Sequence, residues 1–224
     1  EGDVFIHTKM VVDKAAHIID QFTNEKDKII VMLAALLHDI GKPAVTQQDA
    51  EGHIIHHGHE EAGVEIARKF LSKLTQEKDV VDDVLFIVGH HLIPAEFFRH
   101  GVNDAAFRRI INKYGMRRLT LLSAVAETDM IGRLHKVNGE LQQPLNAVTS
   151  WFGHRLKQVS EQYGLTTAGQ IPSLISGYDL IDLGLKPGPS MGKILDDIRQ
   201  KQEDGILTTK ERALDYVRQQ YLNI

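Results

Sequence analysis

The sequence of 224 residues contains no cysteine. This absence excludes disulfide bridges, zinc ribbons and thiol nucleophiles, because each of them needs a cysteine side chain. Aromatic residues are also few, at 6% of the chain, so aliphatic side chains provide most of the hydrophobicity. Side chains of this kind suit the packing of helix on helix. With 42% hydrophobic residues, the chain is long enough to form one large domain or two small ones.

Long apolar runs are missing as well. The longest covers nine residues, from Ile29 to Leu37, whereas a helix needs roughly 20 apolar residues to cross a bilayer. The first residues do not combine a basic segment with an apolar one, so they do not indicate a secretory leader. A net charge of −4 argues against a generally basic protein that coats nucleic acid. We therefore expect a cytoplasmic protein without a membrane partner.

Helical periodicity dominates what the sequence does contain. Apolar residues recur every three or four positions in a first helix starting near His7 and in a second from about residue 27 to residue 39. Asn103 is expected to cap a short helix that ends at Gly115, and Thr208 to cap the last helix. We find no convincing strand and no internal repeat. The predicted fold class is therefore all-α.

The helical pattern weakens between about residues 136 and 144, which indicates a boundary. Residues 1–136 are expected to form a helical bundle, and residues 137–224 a smaller helical tail. Most histidines of the chain lie in the first part, so we expect the chemistry to lie there too.

A histidine and an aspartate follow the longest apolar run, in the segment ALLHDIGKPAV of residues 35–45. This run is expected to form the most buried helix, and buried polar groups without partners cost about 1–3 kcal/mol each. Imidazole and carboxylate groups together suit Mn, Fe, Co, Ni or Zn, and sometimes Mg. His38 and Asp39 are therefore predicted to hold a divalent metal ion.

A further carboxylate is expected from the helical segment of residues 119–131. Asp129 shares the apolar stripe of that helix with Leu122 and Val125, whereas Glu127 lies on the more polar side. Asp129 is therefore predicted to point inward towards the metal. The alternative is a buried aspartate that pairs with the nearby Arg133.

His7, the segment LLHDIGK with His38 and Asp39, and the distant Asp129 together resemble the HD superfamily of metal-dependent phosphohydrolases. The resemblance implies a helical bundle of the HD type in which these four residues surround a divalent metal ion. It leaves the identity of the metal open among Mn, Ni, Co, Fe, Mg and Zn. Asp39 is the expected bridging ligand if there are two ions.

The segments HIIHHGHEEAG of residues 53–63 and VGHHLIP of residues 88–94 extend this resemblance. In HD proteins with two metal ions, a histidine in an H-x-x-x-G stretch and a histidine on the next helix complete the second site. The matching residues here are His59, with Gly63, and either His91 or His90. The alternative is that the first segment is a solvated helix cap and that His91 lies on the surface.

The segment of residues 176–198 resembles the end of bacterial tRNA nucleotidyltransferases and poly(A) polymerase-like proteins, and residues 1–13 resemble the start of their HD module. The transferase head of that family carries an Asp-x-Asp pair that binds two magnesium ions. This sequence contains no Asp-x-Asp, and its pairs Asp82-Asp83 and Asp196-Asp197 are adjacent. We therefore do not expect nucleotidyl transfer from this chain alone.

Two interpretations of the function remain open. In the first, the chain is an HD-type phosphohydrolase in which Asp39 holds the metal and Lys42 neutralises a substrate phosphate. Lys42 is otherwise an exposed lysine after a helix, without a role. The resemblance implies substrates with a phosphomonoester or a 2′,3′-cyclic phosphodiester, on nucleotides or RNA 3′ ends.

In the second interpretation, the chain is an RNA-binding body and tail without activity of its own, and tRNA is a candidate partner. The stretch of residues 104–118 is strongly basic, and a basic strip of this kind can follow a phosphate backbone. The strip consists of Arg108, Arg109, Lys113, Arg117 and Arg118. The same residues also fit an ordinary solvated helix face.

Overall fold

A computed structural model describes residues 3–132, 135–137, 140–142, 147–165 and 172–222, with side chains described outside residues 131–149. Helices account for 72% of the structure, which confirms the all-α class. The helices are α1 Val4–Ile18, α2 Glu25–Leu37, α3 Lys42–Val45, α4 His59–Leu71, α5 Lys78–Val88, α6 Ile93–His100, α7 Asp104–Tyr114, α8 Met116–Gly132, α9 Ala147–Gln162, α10 Gly177–Asp182, α11 Pro189–Glu203 and α12 Lys210–Val217.

Side-chain caps define where several helices begin. The carboxylate of Asp3 accepts hydrogen bonds from the amides of the first turn of α1, at 2.8 and 3.2 Å. Asn103 caps α7 as expected, because its side chain accepts from the amide of Ala106. The cap of α12 is Thr209, not Thr208 as predicted. Two adjacent threonines precede this helix, and the sequence does not distinguish their backbone conformations.

Two short antiparallel hairpins correct the expectation of a chain without strands. One pairs β1 Gln47–Gln48 with β2 Ile54–Ile55, and the other pairs β3 His135–Val137 with β4 Glu140–Gln142. Strands of two or three residues are too short to show an alternating polar and apolar pattern. The first hairpin lies between α3 and α4.

The described residues divide into two compact units. The first comprises Glu1–Gly101 and Arg117–Leu156, and the second comprises Val102–Met116 and Lys157–Ile224. This division differs from the one expected after residue 136, because α7 belongs to the same unit as the tail helices. The predicted domain boundary at 136 and 137 stays a prediction.

The core of the first unit lies where α2 packs against both α1 and α5, and where α4 packs on α5. Most of its fully buried side chains are aliphatic, such as Ile30, Leu37, Leu71 and Ile87, and the aromatic ring of Phe152 is fully buried as well. α2 contributes both to this core and, at its C-terminal end, to the polar site described below. Within the described ranges, every helix is too short or too polar to span a bilayer.

The second unit has a separate apolar cluster. Its buried members come from α10, α11, α12 and the segments between them: Ile175, Leu180, Met191, Ile194, Ile198, Leu207, Ala213 and Val217. The hydroxyl groups of Tyr216 and Tyr221 donate to the carboxylate of Asp197, at 2.9 and 2.8 Å. On α7, the guanidinium of Arg108 donates to the backbone carbonyl of Glu203 at 2.6 Å.

Candidate metal centre

The chain turns inward directly after α2. His38 and Asp39 follow Leu37, and the backbone amide of Lys42 donates to the carbonyl of Asp39 at 3.0 Å, which closes a tight turn. Both side chains are buried, with 0% and 2% of their surface exposed. The C-terminal end of α2 therefore carries an imidazole and a carboxylate into the interior, as the sequence predicts. The expectation that this helix is the most buried one is wrong, because five of its 13 residues are buried, against seven of the 11 residues of α5.

Three buried side chains from distant parts of the chain form a first group: His7 on α1, His38 after α2 and Asp129 on α8. Nε2 of His7 lies 2.9 Å from Oδ1 of Asp129 and 3.4 Å from Nε2 of His38. Nε2 of His38 lies 3.7 Å from the same carboxylate oxygen. Glu127, two residues earlier on α8, is only half-buried. The inward position expected for Asp129 is the one observed.

Asp39, His59 and His91 form a second buried group. Nε2 of His59 and Nε2 of His91 lie 3.2 Å apart. Oδ1 of Asp39 lies 3.5 Å from the first of these nitrogens and 3.7 Å from the second. The ring of His90 stacks on Phe86 instead, with 4.6 Å between ring centroids. Of the two candidates from the sequence, His91 is therefore the one that joins this group.

Asp39 lies between the two groups. Its Oδ1 faces His59 and His91, while its Oδ2 lies 3.2 Å from Nε2 of His38 and 3.7 Å from Nε2 of His7. A carboxylate with one oxygen towards each group is suited to bridge two cations. The six side chains thus form one continuous site within the first compact unit.

Backbone carbonyl groups fix the tautomers of three of the histidines. Nδ1 of His38 lies 2.9 Å from the carbonyl of Ala35. Nδ1 of His59 and Nδ1 of His91 have equivalent carbonyl partners at 2.8 and 2.9 Å. A carbonyl only accepts, so each Nδ1 carries the hydrogen, and each neutral ring presents an Nε2 lone pair to the site. Histidine ligands of metal ions are usually held in this way.

This donor set fits a bound cation. The facing lone pairs of His59 and His91 cannot hydrogen-bond to each other while both rings are neutral. Oδ2 of Asp39 is buried, with the ammonium group of Lys42 at 2.7 Å and Nε2 of His38 at 3.2 Å. Two nitrogens bound to one ion at about 2.1 Å lie roughly 3.0–3.4 Å apart, which brackets the distance between His59 and His91. A divalent ion would satisfy all of these atoms.

Without a metal, protons stabilise the buried carboxylate. Burial opposes protonation of His38, but the hydrogen bond and charge of Asp39 outweigh burial and raise the pKa of His38. Burial likewise opposes ionisation of Asp39, yet His38 and Lys42 hold its pKa well below the usual range. Burial, together with the charge of His38, lowers the pKa of His91 to about 4. Protons and metal ions therefore compete for the same atoms.

Lys42 is buried, which corrects the view that it is an exposed residue after a helix. Its Nζ lies 2.7 Å from Oδ2 of Asp39. The turn after α2 leads directly into α3, so the lysine at the start of α3 stays beside the carboxylate three positions earlier. Lys42 therefore contributes positive charge at the edge of the site.

Two glycines bring α4 close to this turn. A Cβ atom on Gly41 would lie 2.0 Å from the carbonyl oxygen of His59 and 2.5 Å from the amide nitrogen of Gly63. Real Cβ atoms never approach backbone that closely, so only glycine fits, for reasons of space. Glycines in both HDIGK and H-x-x-x-G were the signal for this backbone contact.

Two clefts open onto the site. One, of about 480 Å³, is lined by His7 and Thr46 among other residues. The other, of about 400 Å³, is lined by Asp39, His59 and His91 among others. Lys42 and His56 line both clefts. The sequence does not identify His56 as a residue of the site, because the short hairpin of β1 and β2 brings it to these clefts.

The residues of the predicted basic strip mostly contact the protein itself. Arg108 is 4% exposed, and its guanidinium donates to the backbone carbonyl of Glu203 at the end of α11. The remaining residues of the strip pair with neighbouring acidic or aromatic side chains: Arg109 with Asp204, Lys113 with the ring of Tyr114, Arg117 with Asp27 and Asp83, and Arg118 with Asp83. The strip is divided between the two compact units. Its role in RNA binding stays a prediction.

Comparison with known proteins agrees with the location of the site. The HD domain model matches residues 4–129, a range that contains all six side chains of the two groups. The chain is 31% identical over 187 residues to a CC-adding tRNA nucleotidyltransferase from Thermus thermophilus, a match of 81% of this chain and 38% of that protein. It is 26% identical over 194 residues to an A-adding tRNA nucleotidyltransferase from Deinococcus radiodurans, covering 84% and 41%.

A third relative shares only the first part of the chain. It is a bifunctional uridylyltransferase/uridylyl-removing enzyme from Caulobacter vibrioides, 33% identical over 112 residues, with 48% of this chain and 11% of that protein covered. No solved structure is significantly similar to the chain. The chain spans less than half the length of each of these three relatives.

Proposed function

Since the chain belongs to the HD domain family, we propose that it is a metal-dependent phosphohydrolase. Its proposed substrates are nucleotides or RNA 3′ ends that carry a phosphomonoester or a 2′,3′-cyclic phosphodiester. The observation that supports this proposal is the pair of buried histidine and carboxylate groups joined by Asp39. A cytoplasmic location is part of the same proposal.

His7, His38 and Asp129 would hold one divalent ion, and His59 and His91 a second, with Asp39 shared between them. Such ions, when bound, acidify a water molecule and neutralise charge on a phosphate. The carbonyl partners of His38, His59 and His91 keep the ring orientations fixed, so little rearrangement is needed on binding.

We assign to Lys42 the binding of a substrate phosphate oxygen. Its ammonium group lies 2.7 Å from Asp39 and its side chain lines both clefts, so a phosphate at the site meets this charge from either cleft. Lys42 thereby orients the phosphoester against the ligand set. Its burial strengthens the interaction, because charges attract more strongly where water is excluded.

A second candidate function is binding of tRNA by a fragment without hydrolase activity. It is favoured by the similarity to two tRNA nucleotidyltransferases over more than four-fifths of this chain. In this alternative the metal site only stabilises the fold. We expect no nucleotide addition by the chain alone in either case.

Hydrolysis assays distinguish the two candidates. The chain is supplied with Mn²⁺ or Ni²⁺ and with adenosine 3′-monophosphate or adenosine 2′,3′-cyclic phosphate, and released phosphate or opened ring is measured. The His38→Ala and Asp39→Ala variants should lose hydrolysis of any substrate that the parent chain cleaves. The matched control is His100→Ala, which removes an exposed histidine at the end of α6, outside the groups of possible metal ligands among the described residues. Variants at His38 and Asp39 with parental rates would contradict the proposal.

A further inference from the structure

A hydroxyl group fixes the orientation of His56 beside the proposed metal centre. Oγ1 of Thr46 donates its hydrogen to the backbone carbonyl of Lys42 at 2.7 Å. The same oxygen lies 2.9 Å from Nδ1 of His56. A hydroxyl carries only one hydrogen, and that hydrogen is already used. Nδ1 of His56 must therefore donate, and Thr46 accepts.

The tautomer of His56 follows from this contact. When Nδ1 of a neutral imidazole carries the hydrogen, Nε2 is an acceptor. His56 is half-buried and lines both clefts together with Lys42. A ligand in either cleft therefore lies near the ammonium group of Lys42 and near Nε2 of His56, which can accept a hydrogen bond.

The smaller cleft carries further acceptors. The carboxylates of Glu60 and Glu96 line it, and Glu60 also accepts from the backbone amide of Leu92. Asp39, whose Oδ2 lies 2.7 Å from the ammonium group of Lys42, also lines this cleft. Acceptors and negative charge repel an additional phosphate group. These acceptor groups can bind hydroxyl groups of a ligand, because a hydroxyl group donates a hydrogen bond and carries no charge.

We propose that this cleft binds the ribose of a ribonucleoside monophosphate, with Nε2 of His56 accepting a hydrogen bond from a ribose hydroxyl. This inference rests on the proposed function, and it limits the proposed substrates to those with a ribose that has a free hydroxyl group. A 2′,3′-cyclic phosphate has no free 2′- or 3′-hydroxyl, so the cleft favours the phosphomonoester with a free neighbouring hydroxyl. Nucleoside polyphosphates are disfavoured by the carboxylates of Glu60 and Glu96.

The test compares adenosine 3′-monophosphate with its 2′-deoxy analogue. Binding of each nucleotide to the full chain is measured by calorimetry without added metal, and hydrolysis is measured separately after addition of Mn²⁺. One hydrogen bond at a half-buried site corresponds to a preference of about 10-fold for the ribonucleotide. Equal affinities, or no measurable binding of either nucleotide, would overturn the inference.

Two replacements of His56 separate contact with the ligand from a structural role. His56→Gln retains an acceptor near the position of Nε2, whereas His56→Asn retains a donor towards Thr46 but no acceptor at that position. The ribose preference should persist in His56→Gln and fall to about 1-fold in His56→Asn. If the ribose preference instead persists in His56→Asn and is lost in His56→Gln, the hydrogen bond with Thr46 determines the preference, and Nε2 of His56 does not contact the ribose. His53→Asn, on the exposed side of the hairpin, is the matched control.

The outcomes also separate this inference from the proposed function. Hydrolysis of both nucleotides at equal rates, with equal affinities, would leave the phosphohydrolase proposal standing and overturn the ribose site. A ribose preference in binding without hydrolysis of either nucleotide would support the ribose site and count against the phosphohydrolase.

Discussion

Nε2 of His59 and Nε2 of His91 lie 3.2 Å apart, although a backbone carbonyl holds the Nδ1 hydrogen of each ring. In the neutral rings, two lone pairs face each other in a buried site. His59 begins α4 and His91 follows α5, and these two helices pack on each other. The packing of the bundle therefore brings together two groups that repel unless a cation lies between them.

Removal of this pair should remove one of two bound ions. Titration of Mn²⁺ or Ni²⁺ into the metal-free parent should give two equivalents per chain, and titration into the His59→Ala, His91→Ala double variant should give one. The remaining ion is expected at His7, His38 and Asp129, which the substitutions leave intact. A parent chain that binds a single ion, with the same affinity in the double variant, would exclude the second group as a metal site.

Asp129 and Glu127 offer a matched pair of substitutions on one helix. Asp129→Asn removes a charged oxygen that lies 2.9 Å from His7, so metal affinity should fall at least about 10-fold. Glu127→Gln should leave affinity nearly unchanged, because Glu127 does not belong to the groups of possible ligands among the described residues. Competition with a fluorescent chelator measures both affinities. The reverse ranking would contradict the assignment of Asp129.

The sequence predicts most of the site because its ligands lie on regular helices. The stripe of Leu122 and Val125 indicates that Asp129 points inward, since all of them lie on one face of α8. The longest apolar run likewise identifies the helix that carries His38 and Asp39 inward. Periodicity is informative wherever a helix has one buried face.

The sequence does not predict what depends on short segments and close backbone contacts. β1 and β2 are too short to show a pattern, so the sequence does not predict that His56 lines the same clefts as Lys42. The contact of Gly41 with the first turn of α4 joins residues that no periodicity relates. Arg133, the alternative partner of Asp129, lies outside the described residues.

Gly41 should tolerate no larger side chain. Gly41→Ala places a methyl group against the backbone of His59 and Gly63, and overpacking of this kind costs roughly 1–3 kcal/mol of stability. Because α4 must move, affinity for the second ion should fall as well. Urea unfolding and metal titration measure the two effects.

Gly192→Ala is the matched control for this substitution. Gly192 lies inside α11 with nothing within 4 Å of an added Cβ atom. Alanine there should stabilise the chain by up to about 1 kcal/mol, because glycine loses more backbone entropy in a helix. Similar free energies of unfolding for the two variants would contradict the close contact at Gly41.

Metal affinity should depend on pH in a defined direction. Burial disfavours the proton on His38, but Asp39 outweighs burial and raises its pKa above the usual value of 6.5, so a proton occupies the site below that raised pKa. The metal must displace this proton, so affinity should decrease as the pH falls from about 8 to about 6. His91, with a pKa of about 4, adds no proton competition in that range. Affinity that stays constant between these pH values would contradict the competition.

The proposed function requires that the two histidine and carboxylate groups form a metal centre. Elemental analysis of the chain purified without added metal, beside its His38→Ala variant, tests this claim most directly. The parent chain should contain one or two equivalents of a divalent transition metal, and the variant should contain markedly less. A parent chain that carries no metal, and that binds none when titrated with Mn²⁺, Ni²⁺ or Zn²⁺, would contradict the account.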